Sequence, residues 1–179
     1  MGLILLRHTT PDVTSGTCYG QTDLDVASCF PEEAETAFSK LPPFESIISS
    51  PLTRCRKLAE FIAAKTRLSV QIDRRLIEMD FGSWEGRAWS DIPRAEINEW
   101  ADDVLHARPH GGESVAMLRD RTLEALKDIL ERKIPTLVVT HSGVIKAALA
   151  KSDGAEDFNT QIDFGGHVTI SDLQGDQDE

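Results

Sequence analysis

Arg7 and His8 close a run of apolar residues in the opening MGLILLRHTTP. A buried strand that only had to stop could end in glycine or asparagine. Ending in a guanidinium and an imidazole places an anion-binding group and a nucleophile at its tip. Histidine titrates near about 6.5, so one neutral ring nitrogen is a usable nucleophile at neutral pH. Attack on a phosphoryl group would give a phosphohistidine and divide one difficult step into two. The equatorial phosphoryl oxygens carry the charge of that transition state, and planar guanidiniums bind them in paired geometry. Arg7 and Arg54 are the candidates for this role. His141 would add a charged hydrogen bond or orient His8. The second ring nitrogen of His8 should be fixed by a backbone carbonyl. A departing alkoxide needs a proton, and LIEMDFGSWEG supplies Glu78, Asp80 and Glu85. Glu78 leaves the third strand-like run and reaches the same place most directly. It would donate the proton and later activate a water.

Elements must bring these residues together. Strand character is expected at residues 3–6, 47–48, 70–72, 137–139 and 167–173, and the continuous apolar runs suit a parallel sheet covered on both faces. Helices are expected at 31–40, 53–65, 114–133 and 144–149 from apolar spacing, capping residues and proline placement. One or two short helices should lie within 92–104, with Trp89 and Trp100 packing inward. Strands alternating with helices imply an α/β fold, a three-layer α/β/α sandwich around a mostly parallel sheet. Residues 1–179 read as one domain with a frayed tail from 173. In open sheets of this kind ligands bind beyond the carboxyl ends of the strands. That rule brings Arg7-His8, the segment 49–54 and His141-Ser142-Gly143 to one crevice.

Composition excludes other classes. The net charge is −11, with no dense basic run, so neither nucleic acid nor an anionic membrane is an expected partner. No stretch approaches the roughly 18 apolar residues of a membrane span, and no secretory leader is seen. Three cysteines without a CxxC spacing suit a reducing cytoplasm rather than a disulfide framework. Cys18 and Cys55 have no acid–base partner by spacing. His106 and His110 have a helical metal-ligand spacing, but Pro109 between them breaks that geometry. There is no GxxxxGKS phosphate loop. In HGGES, residues 110–112 could turn their N–H groups toward an anion, Glu113 could orient a pocket loop, and Ser114 is read chiefly as a helix cap. Ser142 either binds phosphate or caps the helix after it. The three tryptophans are read as packing residues.

The segments LLRHTTP, SSPLTR, EMDFGSWEG, HGGES and VTHSG follow one another in that order. Together they closely resemble the histidine phosphatase superfamily, which contains cofactor-dependent phosphoglycerate mutases and many small phosphatases. The resemblance extends over residues 3–173. It implies that His8 is the phosphorylated histidine, with Arg7 beside it and Arg54 as the second phosphate-binding arginine. It implies Glu78 as proton donor and His141 as the second histidine of the pocket. It also implies the α/β/α sandwich and a reaction without metal or other cofactor. Two departures bear on substrate choice. Thr9 replaces the glycine of the usual RHG, and Thr14 stands where many members have an asparagine that touches phosphate. A threonine hydroxyl could replace one of that residue's hydrogen bonds.

The stretch TTPDVTSGTCYGQTDLDV is similar to small bacterial phosphatases acting on α-ribazole phosphate. By that likeness Tyr19 and Gln21 would shape the substrate side of the pocket. The short span between Glu78 and His141 is similar to phosphatases rather than to mutases with longer lids. The expected function is therefore a cytoplasmic phosphomonoesterase acting on a small-molecule substrate, with α-ribazole 5′-phosphate as the narrow form. A broad sugar or acyl phosphatase, a phosphoglycerate mutase and a non-catalytic phosphate-binding protein are the alternatives. Monomer and homodimer are both open.

Overall fold

The computed structural model describes residues 2–152 and 158–171. Among the described residues the strands are β1 (Leu3–Arg7), β2 (Ser46–Ser49), β3 (Val70–Ile72), β4 (Thr136–Thr140) and β5 (His167–Ile170). The α-helices among the described residues are α1 (Phe30–Ser39), α2 (Thr53–Thr66), α3 (Arg94–Asp102), α4 (Val115–Glu131) and α5 (Ser142–Leu149). The strands form one sheet in the order β3-β2-β4-β1-β5. All neighbours run parallel except β1 with β5, which are antiparallel.

Strand alternation divides the core in two. Leu3, Leu5, Ile48 and Val138 face α4 and α5, through Leu118, Leu126, Ile129, Val144 and Ile145. Ile4, Leu6, Ile47, Leu137 and Val139 face α1 and α2, through Ala34, Ala37, Leu58 and Ile62. The sheet is thus covered on both faces, which is why β1 and β4 read as unbroken apolar runs.

Pairing aligns the strand ends that matter. Leu6 pairs with Val139, Arg7 with Thr140, and Ser49 with Val139. The His8 N–H continues the ladder to the Thr140 carbonyl at 3.0 Å, and the Ser50 N–H to the Val139 carbonyl at 3.0 Å. His8, Ser50 and His141 therefore leave the sheet side by side. Leu173 and the tail beyond it lie outside the described residues.

Helix boundaries differ from the sequence expectation by one or two residues. Helix α4 begins after Ser114, whose hydroxyl accepts the Met117 N–H at 3.2 Å. Helix α5 begins at Ser142, two residues earlier than expected, because Gly143 at its second position interrupts the apolar pattern without interrupting the backbone bonds. Trp89 is a correction. It is 39% exposed, since it begins a three-residue 3-10 turn (Trp89–Asp91) on the rim rather than a helix. Its ring only edges against Phe81 and Trp84. Trp84 is fully buried and donates its indole N–H to Glu96 at 2.6 Å. Among the described residues no helix is long and apolar enough to cross a membrane, and no group of three metal-ligating side chains occurs.

Candidate active site

His8 is nearly fully buried at the end of β1. Its Nδ1 lies 2.7 Å from the Thr9 carbonyl oxygen. A carbonyl can only accept, so Nδ1 carries the proton and Nε2 keeps its lone pair. Burial, then the nearby Arg54 and Arg7 charges, push the imidazole down from 6.5 to about 3, against the opposing pull of the Thr9 bond. The ring is thus neutral at any pH near neutrality.

His141 stands at 5.2 Å from His8, centroid to centroid, in an edge-on arrangement. It is fully buried, and its Nε2 is 2.8 Å from the Ser50 hydroxyl. Burial, with His8 and the arginines behind it, also holds this imidazole well below its ordinary value. Cys55 corrects the reading that spacing leaves it without a partner. Its Sγ lies 3.4 Å from His141 Nε2, a contact made across the sheet from α2. Burial pushes the Cys55 thiol far up, so proximity does not make it a thiolate. The Cys18 thiol, raised to about 12 mainly by burial, is equally protonated.

Arg54, at the start of α2, is completely buried. It donates to the Thr22 carbonyl at 2.9 Å and the Gly20 carbonyl at 2.6 Å. Arg7 donates to the Ile162 carbonyl at 2.6 Å, and its guanidinium lies 3.9 Å above the Phe164 ring. The Nε–H groups of both arginines are buried without a protein partner among the described residues. An unpaired buried donor costs roughly 1–3 kcal/mol, which an oxyanion would recover. Tyr19 joins the two. The Arg7 charge acts on its phenol, and the Arg54 guanidinium lies 5.3 Å from its ring centroid.

Glu78 sits against the N-terminus of α5. Its Oε2 accepts the Gly143 N–H at 3.1 Å, and its Oε1 accepts the Met79 N–H at 2.9 Å. Only glycine permits this approach, because a Cβ at Gly143 would lie 2.2 Å from Glu78 Oε1. The carboxyl therefore stands beside the turn that delivers His141.

The remaining candidates fall elsewhere. Asp80 and Glu85 are occupied as turn acceptors: Asp80 caps the Gly82 N–H, and Glu85 accepts from Gln21, Thr22 and Phe81. Gln21 is tied to the Glu78 carbonyl at 3.2 Å. Thr14 is exposed in a turn closed by its own carbonyl and the Thr17 N–H. Ser142 opens α5 beside His141, and its hydroxyl is not the cap, since that position belongs to His141. The N–H groups of 111–113 do not face an anion. They bond the Arg108 carbonyl, His110 Nδ1 and the Asp80 carbonyl. Ser50 is expected in the crevice only as part of segment 49–54, and Phe164 and Arg121 are not foreseen from sequence. Ser50 lay within SSPLTR, but nothing in residue spacing marks the other two.

The model of the histidine phosphatase superfamily (branch 1) matches residues 3–177. The chain belongs to that family. Its curated relatives include the glucosyl-3-phosphoglycerate phosphatase of Mycolicibacterium vanbaalenii, 30% identical over 83% of this chain and 72% of that one. The adenosylcobalamin/alpha-ribazole phosphatase of Escherichia coli is 28% identical over 86% of this chain and 80% of that protein. Among solved structures, a putative alpha-ribazole-5′-P phosphatase from Escherichia coli superposes with a TM-score of 0.84 at 26% identity, covering 95% and 89% of the two chains. The mycobacterial glucosyl-3-phosphoglycerate phosphatase in complex with inorganic phosphate gives 0.79 at 27% identity, covering 94% and 88%. Arg7, His8, Arg54 and His141 end or follow β1, β2 and β4 at one edge of the sheet, and Glu78 adjoins them through the Gly143 N–H.

Proposed function

We propose that the protein is a phosphomonoesterase that passes its phosphoryl group through His8 Nε2. The observation that carries this reading is the Nδ1 bond to the Thr9 carbonyl, which leaves Nε2 unprotonated near the buried Arg54 and the half-buried Arg7. In the first step Nε2 forms a bond to phosphorus as the ester P–O bond breaks, and Glu78 gives its proton to the departing oxygen. In the second, Glu78 takes a proton from water as the water oxygen attacks phosphorus. The N–P bond breaks, His8 is restored and inorganic phosphate leaves. Arg7 and Arg54 bind the equatorial oxygens, while His141 hydrogen-bonds the phosphoryl group or steadies His8. Thr14 and Ser142, at the rim and at the start of α5, are further candidates for phosphate contact. Two guanidiniums supply the positive charge, so the reaction needs no metal.

The substrate class proposed is the phosphate ester of a polyhydroxylated alcohol, with Tyr19 and Gln21 on its leaving-group side. The Cys-Tyr-Gly-Gln stretch supports α-ribazole 5′-phosphate as the narrow form. The mycobacterial relatives support a glycosylated phosphoglycerate as a second form. A panel containing both compounds, simple sugar and acyl phosphates and 3-phosphoglycerate tests the proposal. A kcat/KM for one of the two at least about tenfold above the unrelated phosphates is expected, unchanged by EDTA. Comparable values throughout would leave a broad phosphatase. Discharge of the phosphoenzyme by phosphoglycerate rather than by water would make the protein a mutase.

A further inference from the structure

Arg121, two turns into α4, divides its side-chain donor groups between one stretch of chain and the Glu113 carboxylate. Its Nη1 donates to the Arg75 and Ile77 carbonyls, each at 2.6 Å. Its Nη2 donates to the Glu78 carbonyl at 3.0 Å and to Glu113 Oε2 at 2.8 Å. Its Nε donates to Glu113 Oε1 at 2.6 Å. Glu113 in turn grips the other side of the same stretch. Its backbone N–H donates to the Asp80 carbonyl at 2.8 Å, and its carboxylate accepts the Asp80 N–H at 3.4 Å. Gly112 fits flush against this stretch, for a Cβ there would lie 2.1 Å from the Asp80 oxygen.

The pair thus holds the backbone at residues 75, 77, 78 and 80, framing Glu78 on both sides. The segment has no ladder of its own here. It runs from one 3-10 turn (Arg74–Leu76) to another (Gly82–Trp84), so nothing in regular secondary structure sets its height over the site. A half-buried ion pair is weak evidence for stability, because desolvation consumes much of its attraction. Its value here is geometric. A planar fork with fixed donor directions sets three carbonyls at once, which an ammonium could not do.

We propose that Arg121, oriented by Glu113, is a positioning residue for Glu78: it sets where that carboxyl stands, and so governs protonation of the leaving group rather than attack by His8. This rests on the reading of Glu78 as the proton donor. A displacement of about 1 Å at a reacting group can cost about 100-fold in rate.

The test compares kcat/KM for an alkyl phosphate, whose leaving oxygen needs a proton, with that for 4-nitrophenyl phosphate, whose does not. This parameter covers steps up to release of the alcohol, before water enters. Arg121→Met and Glu113→Gln should lower the alkyl value roughly 10- to 100-fold and the nitrophenyl value by less than about threefold. Arg121→Lys should behave like Arg121→Met. In the Glu78→Gln background, Arg121→Met should add little further loss, because the group it positions no longer donates. Equal slowing of both esters, or full additivity with Glu78→Gln, would overturn the proposal. Loss of cooperative unfolding in all three single variants would assign the pair to the fold alone and overturn it as well. Equal slowing by Glu78→Gln itself identifies a different failure, that of the proton-donor reading, and the proposal falls with it.

Discussion

At the scale of single residues, the site depends on which nitrogen of His8 holds a proton. The Thr9 carbonyl decides this at 2.7 Å, and burial keeps the ring neutral. His8→Ala should therefore abolish trapping of a phosphoenzyme and lower turnover by at least about 10³-fold. Rapid quenching with labelled substrate, followed by peptide mapping, checks this. Label on any residue but His8 would refute the nucleophile assignment. Melting should stay near the parent value, since the removed ring is a polar group held at a strand end, with its main chain paired to Thr140. Residue types made His8, Arg7, Arg54, Glu78 and His141 the candidates that the sequence offered. Distances such as the Cys55–His141 contact were not legible, because they cross from α2 to the end of β4.

At the scale of elements, the loop after β1 is as important as the strands. Residues 19–22 carry Tyr19 and the two carbonyls that hold Arg54. Glu85 organises that loop from the far side by accepting the Gln21 and Thr22 N–H groups, the Thr22 hydroxyl and the Phe81 N–H. Those bonds hold its carboxyl below the ordinary value in spite of burial. Glu85→Ala should destabilise the protein by about 1–3 kcal/mol. It should also raise KM for a phosphate ester several-fold, because Arg54 loses its fixed acceptors. Urea unfolding and steady-state kinetics on the same variant check both effects. A lowered stability with an unchanged KM would show that Arg54 is held independently of this loop. In the sequence Glu85 stood among three carboxylates as a possible acid. Only the path of the loop shows that it is a fastener.

At the scale of the whole molecule, three buried imidazoles couple folding to pH. His8, His110 and His141 are all shifted downward, each chiefly by burial. Between 6.5 and about 3, unfolded His8 binds a proton that folded His8 does not. The unfolded state thus carries more protons, so stability rises with pH across this window and is lost on acidification. Melting temperature should fall steadily from pH near 7 to near 5, above the range where most carboxylates titrate. Inorganic phosphate should make that fall smaller, because an anion beside His8 and His141 favours their charged forms. A flat melting profile over this range, with or without phosphate, would place these imidazoles in contact with water.

The sequence alone determined the α/β/α layering, the strands and most helix positions. Each of those follows from short-range apolar periodicity, and each survives wherever the element is placed. It also determined the kind of chemistry, since an Arg-His pair, an SPLTR segment and a THSG segment at strand ends carry their reactivity in their side chains. Tertiary structure decided the rest. It showed that Asp80, Glu85 and Gln21 serve turns and loops, that Trp89 stays on the rim, and that Phe164 lies under Arg7. It placed the Glu78 backbone under the control of Arg121 and Glu113. The physical reason is common to all of these. Reactivity belongs to a residue type, whereas a hydrogen-bond partner is assigned by whichever distant group the chain brings within about 3 Å.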